Sequence, residues 1–276
     1  PILNYAPPTV WAWRPGRAAK MRSYIDHVMN LLPFESAAFK RLGGPPGTYV
    51  GHPIIEKLDW IDGLSTKALA SRLDISDDDN VLVVLPGSRT NEVRHIIDYF
   101  TSTINILDDR LNKLKVIIPV VENVTDLVRE GIRDWPCPVH FIEGEENKFA
   151  AFKLAKAAIA VSGTVTLELS LTRTPMIVAY RADKIMVPIL RRLITAECIA
   201  MANLILEDIV FPEFIQEKVI PENMAATLIP LFSDTPERQV QLKALDRVVD
   251  KMTSAGQVPS VQAAKIVTSF LSEDQP

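Results

Sequence analysis

Between residues 81 and 180, short apolar runs alternate with longer stretches of helical periodicity, and this alternation restricts the fold more than any other feature. A short apolar run without polar alternation is typical of a strand buried on both faces of a parallel sheet. We therefore predict an α/β fold in which each strand leads into a helix. The predicted strands are residues 81–85, 115–121, 139–142, 157–161 and 176–180.

The strand predicted at 157–161 leads directly into a turn, Ser162, Gly163 and Thr164, and then into a new helix. Such a join directs backbone N–H groups, hydroxyls and the positive helix end to one point, which suits a phosphate. Glu168 lies one helical turn beyond Thr164, where its carboxylate can accept hydrogen bonds from ribose hydroxyls. The ordinary alternative is a helix capped by Thr164, with Glu168 on a solvated face.

A second join of this kind follows the strand predicted at 81–85, in the segment Pro-Gly-Ser-Arg that ends at Arg89. Ligands of open parallel sheets collect beyond the carboxyl ends of the strands, so the two joins can face one site. Arg89 then offers a planar cation to a diphosphate, beside the hydroxyl of Ser88. Glu92 either orients Arg89 or accepts from a sugar hydroxyl. The alternative is a surface arginine that pairs locally with Glu92.

Composition and motifs exclude several classes of function. A net charge of -4 provides no general basic field, so we expect no nucleic-acid partner. We expect no metal and no cofactor, because the histidines (His27, His52, His95 and His140) lack metal-ligand spacing and the usual glycine-rich nucleotide motifs do not occur. The two cysteines form no paired motif, which fits a reducing cytoplasm. His52 is interpreted as a structural hydrogen-bonding residue.

The chain resembles the lipid-A-disaccharide synthases, glycosyltransferases of Gram-negative lipopolysaccharide assembly. The matching segments occur in the family's order along most of the chain: PTVWAWRPGR at 8–17, LPFE at 32–35, VGHP at 50–53, LPGSR at 85–89 followed by Glu92, SGTVTLE at 162–168, TPMIVAYR at 174–181 and, more weakly, 203–204 and 212–216.

This resemblance implies a two-domain GT-B-type glycosyltransferase with paired Rossmann-like parallel sheets, an incomplete first domain and a helical C-terminal tail. Residues 1–58 are then the remnant of an acceptor-side domain, 59–232 the domain that binds the UDP-sugar, and 233–276 the C-terminal helices. Family members begin with about a hundred further residues, which include the aspartate suspected as general base. We therefore expect a truncated gene product or an incomplete chain.

The implied reaction transfers 2,3-diacylglucosamine from UDP to the 6-hydroxyl of 2,3-diacylglucosamine 1-phosphate, with inversion, and yields the β-1,6 disaccharide 1-phosphate and UDP. Inversion requires a base for the acceptor proton and stabilisation of the departing diphosphate. Arg89 is the candidate catalytic residue for the second task. The candidate substrate-binding residues are Ser88, Glu92, Ser162, Gly163 and Thr164, with Glu168 and Asn203 carried over from the family as ribose and uracil contacts.

Two alternatives stay open: another UDP-sugar enzyme of the same paired fold, such as a UDP-N-acetylglucosamine epimerase, and a non-catalytic UDP-binding fragment. Residues 11–22 combine aromatic and basic side chains, and residues 185–192 combine apolar and basic ones. Each segment is compatible with a lipid or sugar-phosphate contact and with ordinary packing. We expect a cytoplasmic protein, with peripheral contact to the inner membrane and oligomerisation both left open.

Overall fold

The computed structural model of the chain describes residues 1–161, 163–183, 187, 198–253, 256 and 258–273. These residues form two compact units. The first comprises Pro1–Asp59 and the chain from Val248 onward, and the second comprises Trp60–Asp183 and Cys198–Arg247. The division expected from the sequence, into an acceptor-side remnant (1–58), a UDP-sugar domain (59–232) and C-terminal helices (233–276), remains a proposal.

The first unit is built on a parallel sheet which, within the described residues, has three strands in the order β1-β2-β3. Its elements are β1 (Leu3–Tyr5), α1 (Gly16–Met21), β2 (His27–Asn30), α2 (Glu35–Arg41), β3 (Gly47–Tyr49) and a 3-10 turn (Pro53–Lys57).

Glu35 ties the loops of the first unit together. Its side chain is buried, and its carboxylate accepts hydrogen bonds from Trp11 Nε1 (3.0 Å) and from the N–H groups of Leu31 and Leu32 (2.9 Å each). Burial raises the pKa of Glu35, and these three hydrogen bonds oppose that rise. Trp11 also packs edge-on against Phe34, with ring centroids 4.8 Å apart. Trp11 therefore has a structural role, which the sequence had left open for the aromatic residues of segment 11–22.

The second unit is built on a parallel sheet which, in the part of the chain that the structure describes, has six strands in the order β6-β5-β4-β7-β8-β9. The elements are α3 (Leu58–Gly63), α4 (Lys67–Arg72), β4 (Asn80–Leu85), α5 (Thr90–Arg110), β5 (Leu114–Pro119), a 3-10 turn (Glu122–Val124), α6 (Thr125–Gly131), β6 (Val139–Ile142), α7 (Glu145–Leu154), β7 (Ala157–Ala160), α8 (Val165–Leu171), β8 (Met176–Tyr180), α9 (Met201–Leu206), β9 (Glu213–Ile215) and a 3-10 turn (Gln216–Lys218). The chain then continues through α10 (Pro221–Leu228), a 3-10 turn (Ile229–Phe232) and α11 (Pro236–Thr253). From Val248 onward the chain, which includes the end of α11 and all of α12 (Pro259–Glu273), belongs to the first unit.

The predicted α/β alternation and the helical tail are confirmed, because the strands are as buried as their composition requires. Every residue of β7 is buried, and so are Val81 through Val84 of β4. Helix α5 buries Ile96, Phe100 and Ile104 on one face, in the same apolar core as Leu82. Burial of each such side chain contributes about 1.5–3 kcal/mol.

The strand order reverses between β4 and β7. From β4 the chain moves outward to β5 and β6 on one side, and it returns to β7, β8 and β9 on the other. In doubly wound sheets of this kind, a crevice opens beyond the carboxyl ends of the two strands where the order reverses. Leu85 is in register with Ala160, and the Val161 N–H donates to the Leu85 carbonyl at 2.9 Å. The loops that follow β4 and β7 therefore start side by side.

His52 caps the 3-10 turn Pro53–Lys57, because its Nδ1 accepts a hydrogen bond from the Ile54 N–H at 3.2 Å. The structural interpretation of His52 is thereby confirmed. Burial lowers the pKa of His52 from its ordinary value of 6.5, so the unfolded chain binds a proton there more readily than the folded chain. The stability contributed by the neutral ring is therefore present above pH 6.5 and is lost as the pH falls toward the lowered, folded-state pKa.

We predict that His52→Asn makes the protein less sensitive to acid. The asparagine amide oxygen can accept the same capping bond but does not titrate. Between about pH 7.5 and pH 5.5, the melting temperature of the variant should fall less than that of the wild type. Thermal unfolding followed by circular dichroism at a series of pH values measures both slopes, and parallel slopes would contradict the assignment.

Candidate functional site

A cleft of about 680 Å³ lies at the carboxyl edge of the second unit's sheet, and the ends of β4, β5, β6 and β7 line it. The loops after β4 and β7 both contribute to its wall, as the sequence predicted for one shared site. The predicted residues that line the cleft are Ser88, Arg89, Glu92, Gly163, Thr164 and Glu168. Ser162 and the segment 185–192 lie outside the described residues, apart from Val187.

Glu92 organises the loop after β4. Its Oε1 accepts a hydrogen bond from Arg89 Nη1 at 2.7 Å, and its Oε2 accepts the Ser88 N–H at 3.2 Å. The Glu92 side chain is 16% exposed, whereas the Arg89 side chain is 79% exposed, so the carboxylate sits against the loop and the guanidinium lies at the rim. The local Arg89–Glu92 pair, which the sequence had offered as an alternative, is formed, and both residues still line the cleft.

Gly87 permits this close approach. Its φ is +107°, in the region that favours glycine, and a Cβ added there would lie 2.8 Å from both Cβ and Oε2 of Glu92. A side chain at this position would therefore strain the backbone and also push Glu92 away from the loop.

The loop after β7 turns through Gly163, whose φ is +141°, directly into α8. Helical bonding starts where the Thr166 N–H donates to the Gly163 carbonyl (3.3 Å), and the Thr166 hydroxyl donates to the same carbonyl (3.0 Å). The N–H groups of Gly163, Thr164 and Val165 come before this first bond, and all three residues line the cleft. Thr166, not Thr164, uses its hydroxyl on the backbone here, contrary to the capping alternative.

Glu168 is paired across the cleft wall with Lys148, which the sequence analysis did not identify. Lys148 Nζ lies 2.8 Å from each carboxylate oxygen, and the two side chains are 25% and 19% exposed. The solvated helix face offered as an alternative for Glu168 is therefore wrong. Twenty residues separate the partners, which lie on two different helices, α7 and α8.

Asn203 is fully buried in the connection between α9 and β9. Its Nδ2 donates to the Phe211 carbonyl and to Glu213 Oε1 (2.8 Å each), and its Oδ1 accepts the N–H groups of Val210 (3.1 Å) and Phe211 (3.0 Å). These four bonds use the whole hydrogen-bonding capacity of a side-chain amide. The structure thus places Asn203 in a buried network, and Met201 is the residue of α9 that lines the cleft.

The cleft combines an ionic side with an apolar side. The charged lining residues are Arg89, Glu92, Glu145, Lys148 and Glu168, and the apolar ones include Val120, Val121, Ile142 and Met201. Nearby, burial and then the charge of Glu92 raise the pKa of Tyr180, while Arg89 lowers it. Apolar strand ends beside paired charges suit a ligand with a flat ring at one end and anionic groups at the other.

Comparison with known proteins decides the family. The sequence model of LpxB, lipid-A-disaccharide synthetase, matches residues 1–267. The chain belongs to the lipid-A-disaccharide synthase family. It is accordingly a hexosyltransferase of lipid A biosynthesis, as the motifs had indicated.

Curated lipid-A-disaccharide synthases match the chain over nearly its full length. The protein of Rhodopseudomonas palustris strain HaA2 is 44% identical over 270 residues, which cover 98% of this chain and 68% of that protein. The protein of Nitrobacter winogradskyi is 42% identical over 275 residues, which cover 100% of this chain and 68% of that protein. The LpxB-family chain thus spans about two thirds of the length of these relatives.

Solved structures share the fold of this LpxB-family chain. Anabaena Alr3699/HepE in complex with UDP-glucose has a TM-score of 0.58 at 12% identity, covering 97% of this chain and 72% of that chain. WaaG, a glycosyltransferase involved in lipopolysaccharide biosynthesis, has a TM-score of 0.56 at 17% identity, covering 87% of this chain and 62% of that chain. UDP-GlcNAc 2-epimerase from Neisseria meningitidis has a TM-score of 0.54 at 15% identity, covering 91% of this chain and 62% of that chain. At such identities these structures show the fold alone, and they confirm the predicted GT-B-type fold class.

We predict that Gly87→Ala destabilises the protein more than Gly163→Ala. Both substitutions place a side chain at positive φ, but the space around Gly163 is open within 4 Å, whereas at Gly87 the methyl group meets Glu92. The difference in the free energy of unfolding should be about 1–3 kcal/mol, the usual cost of overpacking. Urea denaturation of the two variants measures it, and an equal or smaller loss for Gly87→Ala would contradict the close packing described for Glu92.

Proposed function

We propose that the cleft of the second unit binds the uridine diphosphate of UDP-2,3-diacylglucosamine and stabilises it as the leaving group of an inverting glycosyl transfer. The acceptor is the 6-hydroxyl of 2,3-diacylglucosamine 1-phosphate, and the products are the β-1,6 disaccharide 1-phosphate and UDP. One observation carries this proposal: two loops that were each predicted from sequence to bind phosphate begin side by side and line one cleft. Membership of the LpxB family supports the reaction class.

In this proposal, the diphosphate lies between Arg89 and the start of α8. The N–H groups of Gly163 and Thr164 donate to one phosphate, and the hydroxyls of Ser88, Thr164 and Ser162 provide further donors. Arg89 turns from Glu92 toward the second phosphate, which its exposure at the rim permits. A bidentate guanidinium–phosphate contact is among the stronger hydrogen-bonded pairs, so the diphosphate is a better partner for the exposed Arg89 guanidinium than the Glu92 carboxylate is.

The nucleoside occupies the other side of the cleft. The Glu168 carboxylate accepts hydrogen bonds from the ribose hydroxyls, and the apolar ends of β5 and β6 contact the uracil ring. Asn203, expected from the family as a uracil contact, acts in this proposal by fixing α9 and thereby the position of Met201.

The chemical step is a single displacement at the anomeric carbon. The 6-oxygen of the acceptor forms the new bond and loses its proton to a base, while the bond to the β-phosphate oxygen breaks and its electron pair stays on UDP. Negative charge grows on the diphosphate during this step. Once the diphosphate is bound, the donors at Arg89, Gly163 and Thr164 face that charge and lower the barrier.

The lipid substrates suggest where the reaction occurs. Among the described helices, none combines the length and the apolar composition required to cross a bilayer. Both proposed substrates carry acyl chains, which lie in a bilayer. We therefore propose that the protein meets them as a peripheral protein at the cytoplasmic face of the inner membrane.

We predict that Arg89→Ala weakens UDP binding by about tenfold or more, since a charged hydrogen bond contributes about 1.5–3 kcal/mol. Arg94→Ala is the matched control, because Arg94 is an exposed arginine of α5, the helix that follows Arg89, and it does not line the cleft. Uridine, which has no diphosphate, should bind both variants equally. Calorimetric titrations compare these affinities. UDP affinities that are equal in the two variants would contradict the phosphate site, and a wild-type protein that does not bind UDP would remove the proposed function.

We predict that Arg89→Ala also lowers the rate of disaccharide formation roughly a hundredfold. The reason is that the loss of one preorganised donor costs about 3 kcal/mol in the transition state. The assay compares acylated with unacylated UDP-glucosamine as donor. A decrease of tenfold or less would contradict the leaving-group role. Use of the unacylated donor alone would favour a different UDP-sugar enzyme.

A further inference from the structure

We infer that Lys148 is a positioning residue of the nucleotide site: it holds the Glu168 carboxylate in the orientation that receives the ribose hydroxyls. This inference rests on the proposed function, because it assumes that the cleft binds UDP. Nothing in the sequence pattern marks Lys148, since it lies inside α7 and follows neither of the two predicted joins.

The geometry of the pair fixes the carboxylate. Lys148 Nζ contacts both Glu168 oxygens at 2.8 Å, so the ammonium lies on the axis between them and restrains rotation of the group. An ionised carboxylate has about four acceptor positions, and the ammonium occupies two of them. The positions left over are held toward the cleft, which both residues line.

The ammonium itself has a fixed support. Lys148 Nζ lies 5.0 Å from the ring centroid of Phe149, and this ring is fully buried. Phe149 is held in turn by edge-on contacts with Trp60 (5.7 Å between centroids) and Phe152 (5.9 Å). The ammonium therefore lies against a buried ring that is itself packed against two further aromatic side chains.

Partial burial makes this pair different from the pair at the rim. The Lys148 and Glu168 side chains are 25% and 19% exposed, whereas the Arg89 side chain is 79% exposed. Water and salt screen the Lys148–Glu168 attraction less than they screen the Arg89–Glu92 attraction. We therefore expect the Lys148–Glu168 pair to stay intact when the nucleotide binds. Removal of Lys148 leaves the Glu168 carboxylate without its cation, and the restraint on its orientation is lost.

The test measures discrimination between UDP and 2′,3′-dideoxyuridine diphosphate, which lacks both ribose hydroxyls. The wild-type protein should bind UDP about tenfold or more tightly than the dideoxy compound, as expected for loss of a charged hydrogen bond. In Lys148→Met this ratio should fall to about threefold or less, as it should in Glu168→Ala, because the aimed carboxylate is lost in both. Lys148→Arg should restore much of the ratio, since arginine can pair with both carboxylate oxygens.

Lys153→Met is the matched control on the same helix. Lys153 Nζ donates to the carbonyls of Ile61, Asp62 and Leu64 at 2.9–3.0 Å, so its loss should lower the melting temperature but leave the UDP/dideoxy-UDP ratio unchanged. If Lys148→Met does not fold, Lys148→Gln carries the same test, because it also removes the charge.

The outcomes separate the two proposals. A wild-type ratio retained in Lys148→Met would overturn the positioning role while UDP binding stands. The positioning role would also be overturned if Lys148→Met kept the UDP/dideoxy-UDP affinity ratio but no longer bound UDP more tightly than uridine. Lys148 would then act on the phosphates. A wild-type protein that binds UDP and its dideoxy analogue equally would overturn the roles of both Glu168 and Lys148. Failure of the wild type to bind UDP at all would overturn the proposed function itself.

Discussion

The pairing of β4 with β7 is the contact on which the site depends. One backbone bond, from the Val161 N–H to the Leu85 carbonyl, joins the residue that follows β7 to the last residue of β4. These strands are neighbours only because the chain order reverses between them. Both strands are apolar and buried on both faces, which suits them to adjacent positions in the centre of the sheet. Two loops far apart in sequence thus open onto one cleft.

The charges of the cleft are arranged in two pairs with different exposure. The Arg89–Glu92 pair is local and at the rim, so an anionic ligand can replace the carboxylate as the partner of the guanidinium. The Lys148–Glu168 pair joins two helices and is largely shielded, so it holds its geometry. The Arg89–Glu92 pair is suited to exchange its carboxylate for an anionic ligand, and the Lys148–Glu168 pair is suited to hold a carboxylate in a fixed orientation. Together they fit the proposal that a cleft lined by several carboxylates accepts a diphosphate.

Much of the fold could be predicted from local pattern, because the central strands are buried on both faces and are therefore uniformly apolar. The carboxyl-end loops could be predicted as well, since glycine and hydroxyl residues directly follow those strands. The strands β2, β3 and β9 were not identified, because each has only three or four residues and carries polar side chains. The site was less visible where partners come from separate elements. Lys148 contacts Glu168, and Asn203 contacts Glu213, only in the folded chain, and the spacing of these residues in the sequence does not predict either contact. For Asn203, the family resemblance predicted a uracil contact, whereas the structure shows a buried side chain held by four hydrogen bonds.

The most direct measurement is a crystal structure of the chain grown with UDP. The account predicts electron density for the diphosphate between Arg89 and the N–H groups of Gly163 and Thr164, with the ribose hydroxyls on Glu168. A nucleotide bound at another edge of the sheet, or an empty cleft at saturating UDP, would contradict it.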